Sequence, residues 1–201
     1  MVIVDGFDRG NWLGVPQRLG NVAVLSPGDL RSSLTYLPGT RDELIALASA
    51  LGADAETDLL LANDAREARL RNGNNVLSDR RIIAFATHGL IATDGIANLD
   101  EPGLVLTPPL KGSIGDDGFL AASEIAASLK LDADWVILSA CNTASPAKSG
   151  AESLSGLARA FFYAGARSLL VSHWPVEDDI AARITVKTIT AYEANTGLRR
   201  A

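Results

Sequence analysis

"RIIAFATHG", Arg81–Gly89, carries five apolar residues without interruption, Ile82 to Ala86, and then breaks into Thr87, His88 and Gly89. A strand with one wet face alternates apolar and polar residues; this run does not, so both of its faces are expected to be buried, as in a helix-covered parallel sheet. The same grammar recurs twice. "ADWVILSAC", Ala133–Cys141, and "ARSLLVSHWP", Ala166–Pro175, are likewise apolar stretches that end in polar or reactive side chains.

Helical patterns separate these strands. "TRDELIALASAL" places Leu44, Leu47, Ala48 and Leu51 at helical intervals, and Thr40 and Glu43 have the spacing of a capping box. "DLLLANDA" is expected to be a short strand and "DAREARLRN" a polar helix ending near Gly73. "GLVLT" reads as a strand, "LAASEIAASL" as a helix, and "ESLSGLARAFFYAG" as a helix stopped by Gly165. "EDDIAARITVKTITAYEA" reads as a closing helix of less regular periodicity. The segment Asp5 to Gly28 is predicted to be loop with one short strand at Val22–Leu25. Alternating strands and helices give an α/β fold with a mostly parallel central sheet and helices on both faces. One domain spanning 1–201 is expected, its residues 1–36 forming a poorly defined N-terminal segment.

Bulk properties exclude several function classes. The 201 residues are 47% hydrophobic and 21% charged, an ordinary globular composition. With one cysteine and two histidines there is no disulfide framework and too few ligands for a His/Cys metal cluster, so no metal and no cofactor are expected. A net charge of −6 argues against nucleic acid, whose binding depends on neutralising phosphates with Lys and Arg. No apolar run reaches membrane-spanning length and the start lacks a signal-peptide core, so the expected setting is cytoplasmic, with no membrane partner. The nucleotide-binding Gly-rich fingerprints G-x-G-x-x-G and G-x-x-x-x-G-K-[ST] do not occur.

In open α/β sheets, chemistry gathers at the carboxyl ends of the strands, and three strands here end in "ATHG", "SAC" and "SHWP". Taken alone, Cys141 is read as an inert core thiol. Its neighbours Ser139, Asn142, Thr143 and Ser145 argue instead for a sulfur at the point where the strand meets solvent. A free thiol with a pKa of about 8.5 is mostly protonated at neutral pH, so a catalytic cysteine needs an imidazole beside it. His88 lies 53 residues upstream, close to the spacing of about 50 seen in caspases. Its bland alternative is a histidine satisfied by backbone groups at a strand end. The amides of Gly89 and Cys141, each just past a strand, form the natural pair of donors for an oxyanion. His173 is the rival base; it precedes Trp174-Pro175, which favours extended framing, and it lacks an adjacent glycine amide. The acidic run "VEDD", Val176–Asp179, reads first as a helix N-terminus and second as a carboxylate that selects a Lys or Arg in a substrate.

Together "IIAFATHGL", "GLVLTP" with "DGFLAASEI", "VILSACNTA" and "GAESLSGLARAFFYAGARSLLVSHWPVEDD" resemble the CHAT domain from about Leu37 to Tyr192. This is a caspase-like cysteine peptidase domain, related more distantly to separase and often joined to tetratricopeptide repeats. The resemblance implies a caspase-like three-layer sandwich. It also implies His88 as catalytic histidine, Cys141 as nucleophile, Gly89 at the oxyanion-hole position and Asp178 as acceptor of a basic substrate residue, with Asp179 its less favoured neighbour. CHAT domains typically begin with a further strand and continue past the closing helix, so the chain is expected to be truncated at both ends. The expected activity is a cysteine endopeptidase acting on protein or peptide, with repeats or a sensor domain in the full-length chain. The competing expectation is a catalytically silent caspase-like module that signals through protein–protein contacts, because fold does not guarantee function.

Overall fold

The computed structural model describes residues 2–5, 28, 30, 34, 37–71, 76–90, 99–113, 115–139, 150–171 and 178–196. In chain order the elements are β1 (Val2–Asp5), α1 (Pro38–Leu51), β2 (Leu59–Leu60), a short 3-10 turn (Ala62–Asp64), α2 (Glu67–Arg71), β3 (Ile82–Ala86) and β4 (Gly89–Leu90). They continue with β5 (Gly103–Val105), β6 (Phe119–Ala121), α3 (Ala122–Ser128), β7 (Trp135–Ser139), α4 (Gly150–Ala164), β8 (Leu169–Val171) and α5 (Asp178–Thr196). This is a mixed α/β fold. A five-stranded sheet has the order β2-β1-β3-β7-β8, and all of its pairings are parallel.

The buried character expected of "RIIAFATHG" follows from its position. β3 lies between β1 and β7, and its side chains alternate between two apolar clusters. Ile82, Ala84 and Ala86, with Ile137 of β7, join Leu44, Leu47 and Ala48 of α1 and Ile189 of α5. Ile83 and Phe85, with Val136 and Leu138, join Ile125 of α3 and Leu157 and Phe161 of α4. The Phe85 and Phe161 rings meet at 5.7 Å, and Tyr192 of α5 abuts Trp135 edge-on at 5.1 Å. Each of the fully buried Ile, Leu, Val and Phe side chains, moved from water into such a cluster, contributes roughly 1.5–3 kcal/mol.

The opposite edge of the sheet is closed by charge. Arg81, just before β3, pairs with Asp134 at 2.6 Å; Arg167, just before β8, pairs with Asp134 at 3.1 Å and Asp132 at 2.5 Å. The amino ends of three neighbouring strands are thereby linked through ion pairs that share the half-buried Asp134.

Several expectations are corrected. Val2–Asp5, within the segment expected to be poorly defined, is a strand between β2 and β3. The short strand expected at Val22–Leu25 lies outside the described residues. "GLVLT" yields β5, which belongs to a separate antiparallel sheet of order β4-β5-β6. The first two residues of "LAASEIAASL" are strand, part of β6, and the helix starts at Ala122. Here Glu124 Oε2 accepts the Ala121 N–H at 3.1 Å, the reach-back half of a capping box. At α1 the capping expectation fails because the helix begins one turn earlier, with Pro38 in its first turn. Thr40 is already inside, and its hydroxyl donates back to the Leu37 carbonyl at 2.8 Å. Among the described residues of "DAREARLRN", Glu67–Arg71 are helix. Among the described residues no helix is long and apolar enough to cross a membrane.

Candidate active site

Parallel strands present their carboxyl ends on one edge. Here Asp5 is paired with Ala86, Ala86 with Ser139, and Leu138 with Val171. His88 therefore follows, by two residues, the last paired residue of β3, and Cys141 follows the last paired residue of β7 by the same number. The register brings these two strand ends side by side.

Beyond Ala86 the chain is clamped. Thr87 is fully buried, and its hydroxyl donates to the Val105 carbonyl. The Val105 N–H in turn donates to the His88 carbonyl at 2.8 Å. His88 thus sits at the junction of the two sheets, half-buried, with its backbone held on β5. A buried threonine donating to a backbone carbonyl removes one of the few conformational freedoms this turn would have.

The same bond fixes the sense of Gly89. Because His88 and Val105 form a hydrogen-bonded pair, Gly89, opposite Leu104, falls at the next, non-hydrogen-bonded position. Its N–H and C=O therefore point away from β5. In the β4-β5-β6 order β4 is an edge, so the Gly89 amide lies on the outer side of that sheet.

Sequence reasoning missed one residue at this edge. Glu43 of α1 is only 5% exposed, and its Oε2 accepts the Ser139 hydroxyl at 3.0 Å. The signal was present: Glu43 falls within the apolar stripe formed by Leu44, Leu47, Ala48 and Leu51, where a carboxylate has no solvent to satisfy it. Its spacing from Thr40 suggested a cap instead.

Cys141, the rival base His173 and the side chain of Asp178 lie outside the described residues. Asp178 is the first residue of α5, in keeping with the helix-start reading of "VEDD". Among the described residues no group of three or more His, Cys, Asp or Glu side chains could hold a metal ion.

A second buried carboxylate serves the other sheet. Glu67 of α2 has no exposed surface, and its Oε2 accepts the N–H groups of Asp117 and Gly118 at 3.0 and 3.1 Å, fixing the turn that leads into β6. Arg71 reaches Glu67 at 3.5 Å, Glu124 at 2.7 Å and the Gly115 carbonyl at 3.2 Å. Burial first, and then repulsion from Asp117 and Glu124, pushes the Glu67 carboxyl up to about 8, against the opposing pull of Arg71 and the Asp117 amide. Its geometry is structural: it supports β6, which supports β5, which holds His88.

Compared with known proteins, residues 15–201 match the family model described as the CHAT domain. The match is wider at both ends than the Leu37–Tyr192 span legible in the motifs. A search of curated proteins returns no significant match.

Proposed function

The chain belongs to the CHAT domain family, and on that premise we propose that it is a cysteine endopeptidase built on a caspase-like three-layer sandwich. The observation that supports this reading most is the Ala86–Ser139 register, because it aligns the two strand ends from which His88 and Cys141 follow. His88 acts as general base, taking the thiol proton as the Cys141 sulfur attacks the scissile carbonyl carbon. The carbonyl oxygen gains charge in the tetrahedral intermediate and is held by the Gly89 and Cys141 amides. His88 then delivers the proton to the leaving amine, and water hydrolyses the thioester. Asp178 receives a Lys or Arg before the scissile bond. The edge position of the Gly89 amide favours its share of this task, since that N–H is not used in pairing with β5.

Proteins or peptides are the proposed substrates, and tetratricopeptide repeats or a sensor domain in the full-length chain are the proposed controls. The reading is tested by cleavage of a Lys/Arg peptide library by the full-length protein and by its Cys141→Ala variant. Loss of cleavage in the variant supports the nucleophile assignment, and unchanged cleavage removes it.

A further inference from the structure

The Glu43–Ser139 contact has no place in the mechanism above, yet it lies at the edge that mechanism uses. α1 enters the fold between β1 and β2, two parallel strands, so its first turns lie at the carboxyl edge and its last residues run towards the amino edge. Glu43 sits in the N-terminal half of α1, directly before Leu44, which is 1% exposed. Taking a carboxylate out of water costs several kcal/mol unless hydrogen bonds replace its hydration, and an apolar residue would fit this stripe without that cost. The Ser139 hydroxyl supplies one such bond at 3.0 Å. Ser139 is also the last paired residue of β7, two positions before the only cysteine.

We propose that Glu43 is a positioning residue for the peptidase reaction, holding the carboxyl end of β7 through Ser139 and so fixing where the chain departs towards Cys141. This rests on the peptidase reading for its consequence in catalysis, but its physical content is separate. The contact ties α1 to the carboxyl end of β7 at the border of the cluster in which Leu44 and Leu47 of α1 pack with Ala86 of β3 and Ile137 of β7. Losing it frees the last residue of β7 without removing any group that touches substrate. A misplacement of about 1 Å at a reacting centre costs up to about 100-fold in rate, and the loss falls on kcat rather than KM.

The experiment compares wild type, Glu43→Ala, Ser139→Ala, the double variant and Glu43→Gln in the full-length protein. Two readouts are taken: kcat and KM on the Lys/Arg peptide library, and the rate at which iodoacetamide alkylates Cys141, followed by mass mapping of the peptide that carries it. Each single alanine variant is expected to lower kcat by about 10-fold or more, with KM within about 2-fold. The double variant should be no worse than the poorer single, because the Ser139 hydroxyl acts through Glu43. Glu43→Gln retains a carbonyl acceptor for the Ser139 hydroxyl and should recover most of the loss. Unchanged kcat in Ser139→Ala overturns the proposal, as do losses that multiply in the double variant. If Glu43→Ala fails to fold, Ser139→Ala still decides. If wild type cleaves nothing, the peptidase reading fails by itself, and the positioning claim is judged by alkylation: equal rates in wild type and Ser139→Ala overturn it.

Discussion

The His88 carbonyl accepts the Val105 N–H at 2.8 Å, and this single bond turns the amide of the next residue, Gly89, away from β5. If that amide stabilises the oxyanion, its removal costs rate and little else. Gly89→Pro deletes the hydrogen at an edge position where proline breaks no bond to β5. Loss of one such donor lowers kcat by about 100-fold or more. Steady-state kinetics should show this drop, and the alkylation rate of Cys141 should stay near the wild-type value.

Substrate choice is tested at Asp178. A carboxylate at the start of α5 that pairs with a substrate cation contributes a charge-assisted hydrogen bond, so its removal should be selective. Asp178→Ala is expected to reduce kcat/KM for Lys and Arg peptides by about 10-fold or more while sparing uncharged ones. Equal losses across the library would return "VEDD" to a helix-start role alone.

The buried Glu67 makes stability depend on pH in a defined direction. Its folded value of about 8 lies above its ordinary 4.5, so between those limits the native chain retains a proton that the unfolded chain has released. Its contribution is full below about pH 4.5, is lost as pH rises, and reaches its least favourable value above about 8. The span is on the order of a few kcal/mol. Glu67→Gln keeps an acceptor for the Asp117 and Gly118 amides and removes the titration. The difference between urea midpoints of wild type and this variant should therefore vary over that window and be flat above it.

Two glycines of α4 and its end should respond oppositely to alanine. Gly165 has φ +112°, and a Cβ there would lie 2.1 Å from the Leu131 carbonyl oxygen. Gly165→Ala should destabilise by more than about 2 kcal/mol. Gly156 is inside the helix, with Pro102 no nearer than 3.4 Å to the added carbon, so Gly156→Ala should stabilise by about 0.5–1 kcal/mol. Urea unfolding measures both.

The strands that decide the fold were legible because they are long enough to show a buried period. β3 and β7 occupy five residues each, all or mostly buried, and their polar ends were placed correctly on one edge. β1 was not legible: four residues at the start of the chain, followed by Gly6, give no period, and their pairing with β3 is a long-range fact. β4 has two residues and β6 three, too few to separate from the turn and helix they adjoin. The site divides in the same way. His88 stood out as one of two histidines, placed at the end of a buried strand, whereas Glu43 looked like a local cap. Its partner Ser139 is 96 residues away, a separation that no local pattern encodes.

The central claim is that His88 activates Cys141, and covalent capture tests it most directly. The full-length protein is incubated at neutral pH with an arginine-containing peptidyl acyloxymethyl ketone, and its intact mass is recorded. An adduct mapped to Cys141 is expected in wild type, and at least about a tenfold slower adduct at that residue in His88→Ala. Capture at equal rates in the two proteins, or none in folded wild type, would contradict the account and favour a caspase-like module that acts by binding.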